Sequence, residues 1–230
     1  MKPDTTRPRT EAWRDVVEQR HSCRAFTDEV LDDALLTELF ALAQRTPSWC
    51  NAQPWQVDLV TGPARHRLAA ALEIAYDCRP PQWDIEPPVE YLGAHQVRRQ
   101  AAGAGLYRAT GVNRYDMAGR VAQMRRNFEF FGAPQVAVIS VGSALGEYAL
   151  VDAGGFMASV LWSAEFLGVA AIAQAAPARH SDLIRGALGI GDDHLVIGCI
   201  ALGRADPDHQ ANQFRTGRAA PDEVLRMHRT

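Results

Sequence analysis

The 230-residue chain has no uninterrupted apolar stretch of the roughly 20 residues that crossing a bilayer requires, which excludes a membrane-spanning helix. It has no large charge excess of either sign. A formal net charge of −3 argues against a dedicated nucleic-acid surface or an anionic-membrane surface. The four cysteines, Cys23, Cys50, Cys78 and Cys199, are far apart and form no C-x-x-C pair. In a chain of this length they read as free thiols in a reducing, cytoplasmic compartment. Met1 to Thr10 carries Lys2, Arg7 and Arg9 without an apolar core, so it does not read as a secretory signal. The seven histidines include no H-x-x-x-H pair and no cluster with cysteine at ligand spacing, so no metal site is expected.

Nucleotide fingerprints are missing as well. Gly103-Ala104-Gly105 and Gly189-Ile190-Gly191 are fragments of a dinucleotide motif, but neither follows a strand and opens a helix with the third glycine in place. There is no G-x-x-x-x-G-K-[ST] loop. Cys50 has no histidine or aspartate placed locally to activate it, which leaves covalent catalysis unsupported.

What is present is an ordinary globular composition, 47% hydrophobic and 22% charged, with enough apolar material for a core. Trp13, Val16 and Val17 sit at helical spacing within 11–20. Asp32 is placed to cap a helix carrying Leu35, Leu36, Leu39, Phe40 and Leu42. Trp55, Val57 and Leu59 alternate as a strand that Gly62-Pro63 ends, and 64–76 read as a helix. A proline-rich insertion at 77–93, with Trp83 and Ile85 to bury, reads as an ordered loop or lid. Helices are expected at 94–110 and 114–131, with a break near Gly111. A strand buried on both faces is expected from Pro134 to Val141. A long helix at 148–167 bears Gly154-Gly155 and Ala158 for close backbone packing. A short strand at 169–173 leads to a helix that Ser181 caps and Gly189 terminates, and a buried strand follows from Leu195 to Leu202. The arm from 204 to 230 is polar and arginine-bearing. No repeat or linker divides the chain, so 1–230 reads as one α+β domain with helices on both faces of the sheet.

Three stretches carry chemistry. Arg45 to Trp55, held stiff by Pro47 and Pro54, offers Ser48, Asn51 and Gln53 as hydrogen-bonding groups and Trp49 and Trp55 as flat faces. It suits a heteroaromatic ligand with a polar rim, or it is a connector whose tryptophans plug the core. Arg20-His21-Ser22-Cys23-Arg24 places two arginines around a hydroxyl, fit to grip phosphate and carbonyl oxygens or to form a solvated helix end. Asn212 to Arg218 reads either as a phosphate clamp or as a disordered basic end, with Phe214 favouring an ordered segment.

Taken in order, Arg20-x-Ser22-x-Arg24, then Pro47-Ser48-x-x-Asn51-x-Gln53-Pro54-Trp55, form a motif set. Asn127 ahead of Phe131-Gly132-Ala133-Pro134, the glycine-bearing helix and the Asn212–Arg218 tail complete it. The chain thereby resembles the nitroreductase family of flavin mononucleotide (FMN) oxidoreductases over nearly its whole length. The resemblance implies a homodimer with FMN in the subunit interface. It implies that Arg20 and Ser22, beside His21, reach the phosphate together with Arg215 and Arg218, while Arg24 lies at the N1/C2-carbonyl edge of the flavin. Pro47, Ser48, Trp49 and Asn51 would come from the partner subunit, with Gln53 nearby, and Asn127 would bond the pyrimidine edge. Gln174 and Ala175 would approach N5 through backbone amides. Many relatives carry a Glu-Gly or glycine-rich pair there, so Gln174-Ala175-Ala176 resembles a branch with an alanine-rich turn.

The activity implied is hydride transfer from NADPH or NADH to a small electron-poor acceptor such as a nitroaromatic, quinone or activated alkene. Two other readings are a flavin-dependent dehydrogenase of a biosynthetic intermediate and a flavin-binding protein without turnover. The insertion and the helices at 94–131 would shape the acceptor pocket, with Tyr107, Tyr115 and Phe128 lining it or serving as core. Neither nucleic acid nor membrane is expected as a partner.

Overall fold

A computed structural model describes residues 8–229. The reading of Met1 to Thr10 therefore falls largely outside the described residues. Eight helices are present among them: α1 (Arg9–Gln19), α2 (Asp33–Ala43), α3 (Gly62–Cys78), α4 (Gly93–Ala109), α5 (Met117–Arg125), α6 (Gly146–Phe166), α7 (Ser181–Leu188) and α8 (Pro221–Val224). The strands are β1 (Trp55–Thr61), β2 (Gln135–Gly142), β3 (Ala170–Gln174) and β4 (His194–Gly203). They form one antiparallel sheet in the order β1-β2-β4-β3. No described helix is long and apolar enough to cross a membrane.

Alternation along the two central strands builds two cores. Val136 and Val138 of β2, with Cys199 and Ala201 of β4, face Leu68 and Leu72 of α3 and Ile184 of α7. Ala137 and Ile139, with Ile200 and Leu202, face Leu36 and Leu39 of α2 and Phe156 and Val160 of α6. A strand covered on both sides must be apolar at successive positions, and Gln135 to Val141 is buried throughout. Gln135 escapes the penalty of an unpaired buried amide by bonding Leu31 N and O at 3.0 and 2.9 Å.

Local signals place several boundaries where the residues suggest. Asp32 accepts from Leu35 N at 2.7 Å and caps α2. Gly189 closes α7 in the left-handed region at φ 70°. Gly62 and Pro63 do end β1, but they also open α3, where proline needs no N–H partner. Ser181 is the first residue of α7 rather than its cap, and its hydroxyl donates back to Ala178 O at 2.7 Å.

Other expectations give way to long-range packing. Gly154 faces open space and Gly155 meets only the Thr46 methyl, so neither brings a second backbone close within this chain. Gly105 does have a docking role: a Cβ there would lie 2.4 Å from the ring of Phe214. The C-terminal arm thus rests on α4, and Arg98 pairs with Glu223 at 2.9 Å further along. The 77–93 insertion is anchored in its first half. Trp83 packs on the core, Gln82 bridges to His180, and Asp84 accepts from Val196 N at 2.8 Å and pairs with Arg185. Residues 86–92 are exposed.

His180 is fully buried, and neither ring nitrogen has a hydrogen-bond partner among the described residues. Burial, then the charges of Arg179 and Arg79, hold its pKa below the ordinary 6.5. The unfolded chain therefore takes up this proton at a higher pH than the folded chain. Stability is present above pH 6.5 and is lost as the pH falls through that value towards the lower folded pKa. His180→Phe is predicted to flatten the dependence of urea midpoint on pH below that point. An unchanged slope would assign the dependence to other groups.

Gly105→Ala should separate arm docking from helix stability. Alanine favours the helix by up to roughly 1 kcal/mol but displaces Phe214. Limited proteolysis should then cut the arm faster while the global unfolding midpoint holds or rises.

Candidate active site

The segment Arg20–Arg24 leaves α1 in extended conformation and runs along the free edge of β3, where Cys23 N donates to Ala171 O at 3.1 Å. The arm returns beside it through Thr27 N to Arg204 O at 2.9 Å and Asp206 N to Ala25 O at 3.0 Å. Asn212 locks the two together. Its Oδ1 accepts from Arg24 N at 2.7 Å, and its Nδ2 donates to Ala25 O and Asp206 O, both at 2.8 Å. The residue is buried, so each bond is made away from competing water.

This clasp gathers arginines from the two ends of the chain. Arg20 is close enough to Arg215 and Arg218 that both press its pKa down, after burial, which has the largest effect. Glu165 near the end of α6 opposes them; burial raises its pKa, and Arg20 and Arg215 lower it. Arg215 donates to Asn212 O at 2.6 Å, and Arg218 to the Thr216 hydroxyl at 2.7 Å; among the described residues neither forms an ion pair. His21 is held below its ordinary pKa by burial and then by Arg215, Arg20 and Arg24, so it adds a neutral ring at pH 7. Arg24 is pressed down mainly by burial, and its guanidinium donates to Ser22 O at 3.1 Å without an ion pair among the described residues. Cations gathered this way suit a multiply charged phosphate, whose oxygens accept from several forks at once.

A second group lies past the end of β3. Gln174 is buried and its Nε2 donates to Asn127 O at 2.9 Å, with Asn127 Oδ1 at 3.4 Å. Its backbone is pressed against β4, where a Cβ on Gly198 would meet Gln174 O at 2.8 Å. The turn after Asn127 holds Phe130 and Phe131 both at φ 55°, a region costing roughly 1–2 kcal/mol for each such residue. Burial of both rings in the core holds the turn there.

The other non-glycine residues with left-handed backbone are Cys50, Asn51 and Gln53, all in the 47–53 loop. Ser48 Oγ accepts from Gln53 N at 2.9 Å, Gln44 bonds Gln53 at 2.9 Å, and Trp49 N donates to Asp152 at 3.0 Å. The two tryptophans part company. Trp55 is buried and stacked on Phe156 at 4.7 Å, whereas Trp49 is 60% exposed and lies 4.6 Å from Tyr148. Trp55 is therefore the core plug and Trp49 the free face.

One chain does not bring Trp49 to the arginines. Trp49 meets α6 at Asp152 and Arg20 meets it at Glu165, which at 1.5 Å per residue separates those points by roughly 20 Å. Pro47 lies nearer, lining a cavity with Ser163 and Phe166. Among the acceptor-pocket expectations, Phe128 is core and not lining: it is 1% exposed, with its ring tilted against Tyr76 at 4.7 Å. Tyr107 is half-buried beneath Arg120, and Tyr115 is exposed. Asn212 carries no local signal of this role, because its clasp joins positions 188 apart.

The chain matches the family model "Nitroreductase family" over residues 17–204, and it belongs to that family. It is 29% identical over 209 residues to a 4-nitrobenzoate reductase of Pseudomonas putida, covering 91% of this chain and 92% of that protein. It is 30% identical over 217 residues to the nitroreductase NfnB of Mycolicibacterium smegmatis, covering 93% and 92%. The crystal structure of the FMN-dependent nitroreductase NfnB from Mycobacterium smegmatis in complex with NADPH superposes with a TM-score of 0.92. That match has 28% identity and covers 96% of this chain and 99% of the other.

Asn212→Ala removes three bonds at one buried point. It is predicted to destabilise the fold by about 2–4 kcal/mol in urea titrations, given the cost of unsatisfied buried groups. A loss below about 0.5 kcal/mol would show that the arm is held elsewhere.

Proposed function

We propose that this chain is an FMN-dependent NAD(P)H oxidoreductase that reduces electron-poor acceptors, nitroaromatics foremost, and that it works in the cytoplasm as a homodimer. The observation that carries the reading is the gathering of Arg20, Arg215 and Arg218 beside Arg24, which forms no ion pair among the described residues, with Glu165 the one carboxylate that acts on Arg20. The names of the relatives, nitroreductases among them one FMN-dependent and solved with NADPH, support the same chemistry and its reductive direction.

Arg20, Arg215 and Arg218, with the Ser22 hydroxyl, would hold the phosphate. Arg24 would sit at the N1/C2-carbonyl edge, Asn127 would bond the pyrimidine edge, and the backbone of Gln174 and Ala175 would flank N5. When bound, FMN supplies the two-electron chemistry, so no protein acid or base is required for hydride transfer. Gln174 Nε2 donates to the Asn127 backbone carbonyl, so the backbone at Gln174 and Ala175 would face the N5 side. Arg24, shielded from water and with no ion pair among the described residues, would favour a ring that has gained negative charge.

The dimer is supported by what one chain leaves open. Trp49 meets α6 roughly 20 Å along the helix from where Arg20 does, so it and its neighbours Pro47, Ser48 and Asn51 would serve a partner's site. Leu145, Tyr148, Val151, Trp162 and Phe166 form an exposed apolar stripe on α6, and Trp13 extends it 5.5 Å from Trp162. An apolar face of this extent marks an interface. All four cysteines are free, as a reducing compartment requires.

Arg20→Ala should raise the FMN dissociation constant about 10- to 100-fold in a fluorescence titration of the apoprotein, the worth of a charge-assisted contact. Unchanged affinity would refute the clamp. Arg24→Gln should lower the flavin midpoint potential by up to roughly 90 mV, from about 4 kcal/mol for a nearby charge pair. A potential that stays put would remove Arg24 from the ring edge.

A further inference from the structure

A second basic cavity of about 840 Å³ opens between α4 and the C-terminal arm, and none of Arg20–Arg24 lines it. His95, Arg98 and Arg99 share one face of α4 at helical spacing, and Arg215 and Arg218 face them from the arm. Glu223 is the one carboxylate in the lining, and it is already bonded to Arg98 at 2.9 Å and to Ala220 N at 3.0 Å. Arg99 lies over the ring of Tyr91 at 5.2 Å, without an ion pair among the described residues. Ala101, Ala102 and Phe214 give an apolar floor. The lining thus offers flat apolar contacts beside several guanidinium groups, of which Arg99 forms no ion pair among the described residues.

That combination fits a heteroaromatic base carrying a phosphate monoester. The volume lies within the range of small-molecule sites. We propose that this cavity seats the phosphorylated adenosine end of the reduced nicotinamide donor, and that Arg99 and His95 make the enzyme select NADPH over NADH. The inference rests on the oxidoreductase reading above. Its geometry links the two sites: Arg215 and Arg218 line this cavity and also press on Arg20 in the phosphate clamp. The arm is therefore shared, and a donor seated on α4 lies against the same segment that holds the flavin phosphate. NADH presents a hydroxyl where NADPH presents a nearly dianionic phosphate, so guanidinium forks here discriminate between them by charge.

The test uses the purified holoprotein with adenosine 2′,5′-bisphosphate and 5′-AMP as probes in calorimetric titrations. The bisphosphate should bind at least about tenfold more tightly than 5′-AMP, the worth of one good charge-assisted contact. Arg99→Gln and, separately, His95→Ala should each erode that preference. Both positions are exposed on α4, so neither change threatens the fold. In anaerobic flavin-bleaching assays the ratio of kcat/KM for NADPH to that for NADH should fall about tenfold in Arg99→Gln. Equal binding of the two probes, or a preference that survives both substitutions, would overturn the assignment. So would an equal fall in both kcat/KM values. A colourless protein that still binds the bisphosphate through Arg99 would refute the flavin reading and support the cavity as a phosphate site.

Discussion

Arg20, Arg215 and Arg218 repel one another, and each would be better solvated alone than gathered beside two others. They stay together because the buried amide of Asn212 bonds both strands of the pairing, Arg24 N and Ala25 O on one side and Asp206 O on the other. The arm cannot leave without unmaking all three bonds, and Phe214 seated on Gly105 adds a second hold. An anion placed in the cluster would relieve that repulsion. Sheet, helices and loops can be understood as the frame that keeps this clasp at the free edge of β3.

The same economy appears where backbone is strained. Among the described residues, the five non-glycine positions with positive φ fall in two short segments, 50–53 and 130–131. One presents Trp49 and Asn51 to solvent on the far side of α6; the other aims Asn127 at Gln174. Strain of this kind persists only where surrounding structure over-determines it, and here buried phenylalanine rings and side-chain bonds to Ser48 and Gln44 do so. The length of α6 sets Trp49, bonded to Asp152, apart from Arg20, which acts on Glu165.

Contiguous features were the legible part of this protein. The Asp32 cap, the Gly189 stop, the twice-buried β2 and the Arg20-x-Ser22-x-Arg24 and 47–55 motifs each depend on near neighbours. What was illegible depends on partners far away in the chain. Trp49 and Trp55 are alike as residues, yet only Phe156 across the core decides which one is buried. Phe128 could line the pocket or serve as core, and Tyr76, distant in sequence, packs against it in the core. Gly105 carries no local sign of its role, because the ring that needs it arrives more than a hundred residues later. His95, Arg98 and Arg99 formed an unremarked basic face for the same reason.

The central claim, a flavin held by this clasp and reduced by a nicotinamide, is tested most directly by the visible spectrum of the purified protein before and after anaerobic NADPH. The account predicts a flavin spectrum that bleaches on NADPH and returns when a nitroaromatic is added. A protein that is colourless and takes up no added FMN would contradict it, as would a bound flavin that NADPH and NADH both leave oxidised.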